Sequence, residues 1–415
     1  MKSSLNKILK FKLKKLAELT IWRFRPGIIG VTGSVGKTST KMAIATILSS
    51  ERDIRFASGN FNNEIGLPFT IISSESKIGG VFFWFKILVF AAFNLLAPKK
   101  WMRQRYPELL ILEYAADNPG DIKYLLGVAR PNISVITAIG DIPVHVEFFT
   151  GPEEVAREKA RLIEYLPAAG FAVLNYDDET VMNLKDRTRA HIMTFGFGKG
   201  ADVRISNFET RAEGERPIGI SFKLEYGGSF VPVRLAGVFG KTQAYAAASG
   251  ACVGLIFGMN LVKISEALKN YRPASGRMEL MAGIKYTHIL NDSYNASPLS
   301  MHAALDTLVD LPASRRVAIL GDMTEIGKYT LEAHEKIGRI ASNSVDVLVT
   351  IGPRAKFIAE AARKNGLRKN NIYVFDRVED ALKPVQNLIR KGDLILIKAS
   401  HIMQLEKMVE EIKAF

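Results

Sequence analysis

Cysteine is nearly absent from this chain of 415 residues: Cys252 stands alone. One thiol can make neither an internal disulfide nor a four-cysteine zinc ribbon, so the composition fits a reducing compartment. Acidic residues are also in deficit, 42 Asp and Glu against 56 Lys and Arg, which leaves a net charge of +14. That balance points to anionic partners: nucleotides, nucleic acid or an anionic membrane surface. Internal repeats and low-complexity tracts are lacking. A cleavable signal peptide is not evident, because lysines interrupt the apolar residues of the basic N-terminus and no small-residue cleavage site follows. What is present in quantity is apolar residues, 47% of the chain, enough for real cores. The length suits two or three domains.

Residues 1–25 hold eight Lys and Arg against one acid, Glu18. Leu5, Ile8, Leu9, Leu13, Leu16 and Leu19 recur at helical spacing, so a basic amphipathic helix is expected over 1–26, ended by Pro26-Gly27. From Gly27 the text alternates apolar strands with helical stretches. Strands are expected at Ile28–Val31, Leu109–Glu113, Ser134–Ile139 and Phe171–Asn175. Residues from about Ala201 to Leu235 alternate and carry Gly227-Gly228 at a turn, the pattern of antiparallel strands. A second series begins after Pro273, with strands expected at His288–Asn291, Val317–Leu320, Val345–Ile351, Ile372–Phe375 and Leu394–Lys398. The expected fold class is therefore α/β. It comprises a P-loop central domain over 27–272, mostly parallel with a small antiparallel sheet, and a Rossmann-like domain over 273–415.

Strand Ile28–Val31 runs into Thr32-Gly33-Ser34-Val35-Gly36-Lys37-Thr38-Ser39-Thr40. Strand, glycine loop, Lys-Thr and helix start are the parts of a phosphate cradle. Backbone amides and a helix N-terminus face the oxygens, Lys37 neutralises charge, and the Thr38 hydroxyl can ligate magnesium. Gly33, Ser34, Val35, Gly36, Lys37, Thr38 and Ser39 are the expected ATP contacts. The strict Walker spacing is not met, because Val31 stands where its first glycine belongs.

This shortened loop resembles that of the Mur ligase family, and the resemblance continues in order over about residues 27–415. Asn60 to Pro68 is similar to the family's asparagine-rich loop, and Leu112-Glu113 through Ile122 to the strand with its magnesium-binding glutamate. Thr137 to Gly140 with Pro143 to Glu147 resembles its histidine loop. Asn291 to Pro298, Leu320 to Gly327 with His334, and Lys398 to Met403 resemble the branch that adds D-alanyl-D-alanine to a cell-wall precursor. Six weak motifs in the right order make a specific signal.

The resemblance implies an ATP-dependent amide ligase that activates an acceptor carboxylate as an acyl phosphate and joins it to an amine, D-alanyl-D-alanine onto a muramyl peptide. It implies catalytic roles for Lys37, Lys159 and His145, and magnesium, two ions, held by Thr38, Glu113 and His145. Lys159 matches the lysine that the family carbamylates, a reaction that needs an un-ionised amine. Arg277, Asp292, Tyr294 and Asn295 would face the nucleotide. Asn62, Asn63, Lys398 and Ser400 would face substrate. The partners implied are a dipeptide and a small-molecule or carrier-linked precursor, with no nucleic acid. The enzyme would be cytoplasmic, either free or at the inner face of the membrane.

Three departures stand out. The family's asparagine is replaced by Ala138. Its histidine–asparagine pair is missing from Gly237-Val238-Phe239-Gly240, so Gln243 is the side-chain amide left to face the base. Only 26 residues precede Gly27, too few for the uridine-diphosphate-binding domain usual in this branch.

Between Ile78 and Ala97 the only charge is Lys86, and Lys99, Lys100, Arg103 and Arg105 follow, an apolar insertion over 78–106. Twenty apolar residues could cross a bilayer. A single crossing would separate Lys37 from Glu113, which must meet one nucleotide. The segment is therefore buried, packed on the N-terminal helix, or lying in peripheral contact with an anionic membrane. Other functions remain open: a Mur-like ligase for another amino acid or carrier-linked acceptor, a nucleotide-switched P-loop binding protein, or an amidotransferase subunit, against which the single cysteine counts.

Overall fold

The computed structural model describes residues 2–414 except 58, 76, 99–105 and 215, with backbone alone for 2–5 and 81. Lys99, Lys100, Arg103 and Arg105 lie outside the described residues. The chain opens with α1 (Lys2–Phe24), β1 (Gly27–Thr32), α2 (Lys37–Leu48), β2 (Ile54–Phe56), α3 (Gly66–Ile72) and α4 (Val81–Leu96). Next come β3 (Leu109–Glu113), α5 (Asp121–Val128), β4 (Ile133–Ile136), α6 (Pro152–Glu164), β5 (Phe171–Asn175), α7 (Glu179–Met182) and β6 (His191–Gly196). Three strands follow, β7 (Val203–Glu213), β8 (Arg216–Tyr226) and β9 (Ser229–Ala236), then α8 (Lys241–Ile256) and α9 (Leu261–Leu268).

These strands form one sheet in the order β2-β3-β1-β4-β5-β6-β7-β8-β9, parallel from β2 through β7 and antiparallel beyond. The antiparallel strands expected after Ala201 are present, and they continue the parallel sheet through β6 and β7 rather than standing apart. Alternation along β1 sorts its side chains onto two faces. Ile29 and Val31 join a core with Ile44 and Ile47 of α2 and with α8. Ile28 joins the opposite core with Leu110 and Leu112 of β3, Phe69 of α3, and Leu13 and Ala17 of α1.

The second sheet uses β10 (Glu279–Gly283), β11 (Thr287–Asn291), β12 (Arg315–Gly321), β13 (Val347–Ile351), β14 (Ile372–Phe375) and β15 (Asp393–Lys398). Its order is β10-β11-β15-β12-β13-β14, with only β10 antiparallel. Helices α10 (Pro298–Asp310), α11 (Thr330–Ser344), α12 (Lys356–Lys364), α13 (Val378–Leu388) and α14 (Glu406–Ile412) fill its connections. Both faces are covered: Leu394 and Leu396 point into one core, Ile395 and Ile397 into the other.

Two expected strands are shorter than the apolar text suggested. β4 stops at Ile136 because Thr137 bends away to hold the glycine loop: its hydroxyl donates to Val35 O at 2.6 Å. β13 starts at Val347 because Val345 closes α11. β2, β6 and β10 were not expected; the first is three residues long and the last lies ahead of the second series' first expected strand at His288.

Candidate functional site

β1 ends at Thr32 and the chain turns sharply at Gly33, whose φ is +145°. A Cβ there would lie 2.0 Å from Thr137 Oγ1, so only glycine lets the loop pass so close to β4. Ser34 N and Val35 N donate to Ala138 O, and Gly36, in the left-handed region, opens α2. The Lys37 ammonium donates to Gly33 O at 2.8 Å. Burial lowers its pKa, against the raising pull of Glu113. The Ser34 hydroxyl is buried at the cavity wall without a hydrogen-bond partner, which leaves it free to donate to an anion.

Glu113 closes β3, beside β1, and is buried. Its Oε2 accepts from the Thr38 hydroxyl at 3.2 Å and from Lys41 Nζ at 3.1 Å, and its Oε1 accepts from Asn62 Nδ2 at 3.1 Å. Burial alone would raise its pKa; Lys41, Lys37 and Arg277 more than offset this, so the carboxyl lies below its ordinary value. The sequence reading missed Lys41, although its spacing from Thr38, i to i+3, sets both on one face of α2.

His145, at φ +70°, stands between the two sheets' loops. Its Nε2 is 3.2 Å from Asp117 Oδ1 and its Nδ1 is 2.7 Å from Glu325 Oε2, the latter without hydrogen-bond alignment. Asp117 was also missed; it follows the glutamate strand by four residues. Lys159 of α6 lies behind this wall, fully buried, with its pKa lowered to about 7 by desolvation and by the charge of Lys37, against the raising pull of Asp117 and Glu158.

The second sheet brings Arg277, whose guanidinium lies over the Tyr294 ring at 4.3 Å; that ring stacks in turn on His401. Asp292 and Lys398 pair directly. Asp292 Oδ1 also accepts from Met278 N at 3.0 Å, and Lys398 Nζ donates to Asn295 O at 2.8 Å. The Lys398 ammonium is thus committed within the protein. Gln243 is committed too: its Oε1 accepts from Tyr271 OH at 2.6 Å and its Nε2 reaches Arg277 O at 3.4 Å, so the expected spare amide secures the interdomain linker. Ser400 is buried and accepts from Thr324 N, bracing the loop that carries Glu325. Asn63 turns away, its Oδ1 capping the amides of Ile65 and Gly66.

A cavity of about 690 Å³ gathers most of these groups: Ser34 to Ser39, Asn62, Glu113, Asp117, His145, Arg277, Asp292, Tyr294, Asn295 and Lys398 line it. Gly33, Asn63, Lys159 and Ser400 do not. A second space, about 500 Å³, continues past Val35 and Gly36 between Ala138, Tyr245 and α10. A third, about 480 Å³, shares Ala115 and Asp117 with the first and is walled by Lys10 of α1, Asn63 and Glu64.

A phosphate cradle at the end of one α/β sheet, closed by a basic residue from a second, is the layout of a two-domain ATP-dependent ligase. The Mur ligase middle domain matches residues 31–80 and 94–251, and the Mur ligase glutamate ligase domain matches 276–401. The chain belongs to the Mur ligase family. It is similar to the UDP-N-acetylmuramoyl-tripeptide--D-alanyl-D-alanine ligase of Bacillus subtilis, 29% identical over 402 residues, 96% of this chain and 79% of that protein. The enzyme of that name from Mycobacterium tuberculosis is 30% identical, over 93% of this chain and 73% of its own. Among solved structures, MurF of Thermotoga maritima in complex with ADP matches with a TM-score of 0.78 at 26% identity, covering 97% of this chain and 83% of that one. MurF of Acinetobacter baumannii gives the same TM-score at 24% identity, covering 97% and 80%.

Proposed function

We propose that this ligase joins D-alanyl-D-alanine to the terminal carboxylate of a muramyl peptide. The observation that carries the reading is the convergence of Ser34–Thr38, Glu113 and His145 from one sheet with Arg277 from the other around a single cavity. The names of the relatives supply the substrates. In the first step the acceptor carboxylate oxygen attacks the γ-phosphorus of ATP and ADP leaves, giving an acyl phosphate. In the second the dipeptide amine attacks the acyl carbon, phosphate leaves, and the amine proton passes to solvent. Lys37 leaves Gly33 O to meet the transferring oxygens, with the loop amides and Arg277 stabilising developing charge.

Magnesium fits the donor set. Thr38 Oγ1 and Glu113 Oε2 are hard oxygens 3.2 Å apart at the cradle. Such an ion would take its remaining ligands from water and phosphate. When bound there it would neutralise phosphate charge. A second ion would take His145 and Asp117 with a carbamylated Lys159, whose lowered pKa supplies the free amine for that modification.

Mass spectrometry of products after incubation with ATP, D-alanyl-D-alanine and muramyl tripeptides, nucleotide-linked or lipid-linked, tests the reading. A pentapeptide product with stoichiometric ADP is expected. Lys37→Ala should lower turnover at least about a hundredfold. ATP hydrolysis indifferent to the dipeptide, with no new amide, would overturn it.

A further inference from the structure

Helices α1 and α4 each have two apolar faces, and the fold uses only one. On α1, Leu13, Ala17 and Thr20 are buried against the domain. On the opposite side Ile8, Phe11, Leu19 and Trp22 are exposed, with Lys12 and Lys15 between them. Successive members are three, eight and three residues apart, which lines them into one stripe along the helix. On α4, Ile87 and Ala91 are buried, while Phe82, Phe85, Val89, Phe93 and Leu96 form an outward stripe; Phe85 is 64% exposed, Phe93 63% and Leu96 86%. The helices sit side by side, and Arg23 of α1 donates to Ala97 O at the end of α4. Large aromatic side chains set so densely on an outer face mark an interaction surface rather than scattered exposure.

Charge argues for what covers it, and placement agrees. α4 has no acid and α1 has one, Glu18, while Lys7, Lys12, Lys15 and Lys86 are exposed among or beside the aromatics. Apolar stripe, aromatic residues and exposed lysines together are the composition of a helix lying in an anionic bilayer surface. The family's middle domain matches up to residue 80 and resumes at 94, so most of α4 lies outside the stretch shared with the family. No described helix is long and apolar enough to cross a membrane, so contact would be in the plane.

We infer that the outward stripes of α1 and α4 form one docking face for an anionic lipid surface. The inference stands apart from the choice of acceptor. Flotation of the full chain with vesicles of phosphatidylcholine, alone or with phosphatidylglycerol, tests it. Binding is expected to the anionic vesicles, weakening as salt rises, with a blue shift of Trp22 emission that Trp22→Phe removes. Phe85→Ser with Phe93→Ser should lower the bound fraction at least about tenfold. Lys12→Glu with Lys15→Glu should do so to a similar degree, about tenfold, on anionic vesicles. Neither pair packs in the core, so the thermal midpoint and ATP turnover in solution should hold. Absence of binding to anionic vesicles at low salt would overturn the inference. So would a concentration-dependent dimer that Phe85→Ser with Phe93→Ser dissociates, since the face would then serve a second copy of this chain.

Discussion

Lys159 and His334 are both buried bases whose surroundings strip a proton, and each gives a different pH signature. For Lys159 the free-amine fraction grows as pH rises through about 7. At limiting bicarbonate, ligation should therefore climb across that interval and level off above it. Lys159→Ala should abolish ligation, and a short-chain carboxylic acid should restore part of it; unchanged activity in the alanine variant would return Lys159 to a structural role. His334 is held neutral: Nε2 accepts from Met323 N at 3.0 Å and Nδ1 faces Thr330 O at 2.7 Å. Burial lowers its pKa to about 4, well under the ordinary 6.5. The unfolded chain therefore binds the proton first. This stabilisation is complete above pH 6.5 and is lost as pH falls toward 4, by up to about 3 kcal/mol. Denaturant titrations at stepped pH should show that slope, and His334→Gln should flatten it. The histidine could be picked out in the sequence as part of a motif, but not its task, because a ring that braces Met323 and one that ligates a metal look alike in text. Gln243 and Lys398 carry the same lesson: the first was expected to face the base and the second the substrate, and the partners they hold, Tyr271 and Asp292, come from distant segments.

At the scale of elements, the strands ending at Glu113 and Asn175 were legible to the residue, because buried parallel strands are short apolar runs closed by polar residues. The start of α2 was expected near Lys37, and the helix begins there, where a loop with Gly36 at φ +88° ends. The short edge strands β2 and β10 were not, since three or five residues with mixed polarity carry no periodic signal. Helix α1 was legible as a helix but not as part of a core. Its Leu13 is fully buried among Leu67, Leu126 and Val128. Leu13→Ala should cost about 2–4 kcal/mol, read as a lower unfolding midpoint, whereas Leu19→Ala on the exposed side should change it little. Equal effects would mean that α1 is not seated as described.

For the whole molecule, one domain carries the phosphate cradle and Glu113, and the other carries Arg277 and Tyr294. The two are tied by Gln243 to the linker and by the approach of Glu325 to His145. Turnover then depends on how the halves meet. Arg277→Ala should lower kcat by about a hundredfold or more while leaving the fold and its unfolding midpoint intact, because the guanidinium lies over a ring rather than in an ion pair. A large loss of stability with little loss of turnover would show instead that Arg277 is structural. This division was visible in the sequence as two α/β series, but the pairing of particular side chains across the cleft was not, since it depends on rigid-body placement.

The lone cysteine has a practical consequence. Cys252 lies fully buried in α8, and desolvation raises its pKa well above the ordinary value. Its thiol is both hidden and protonated, so maleimide and nitroxide reagents should pass it by in the native state. Two introduced cysteines, one on each side of the cleft, would then be the only labelled sites. Spin-label or fluorophore distances across the cavity could be followed through nucleotide addition in an otherwise unaltered chain.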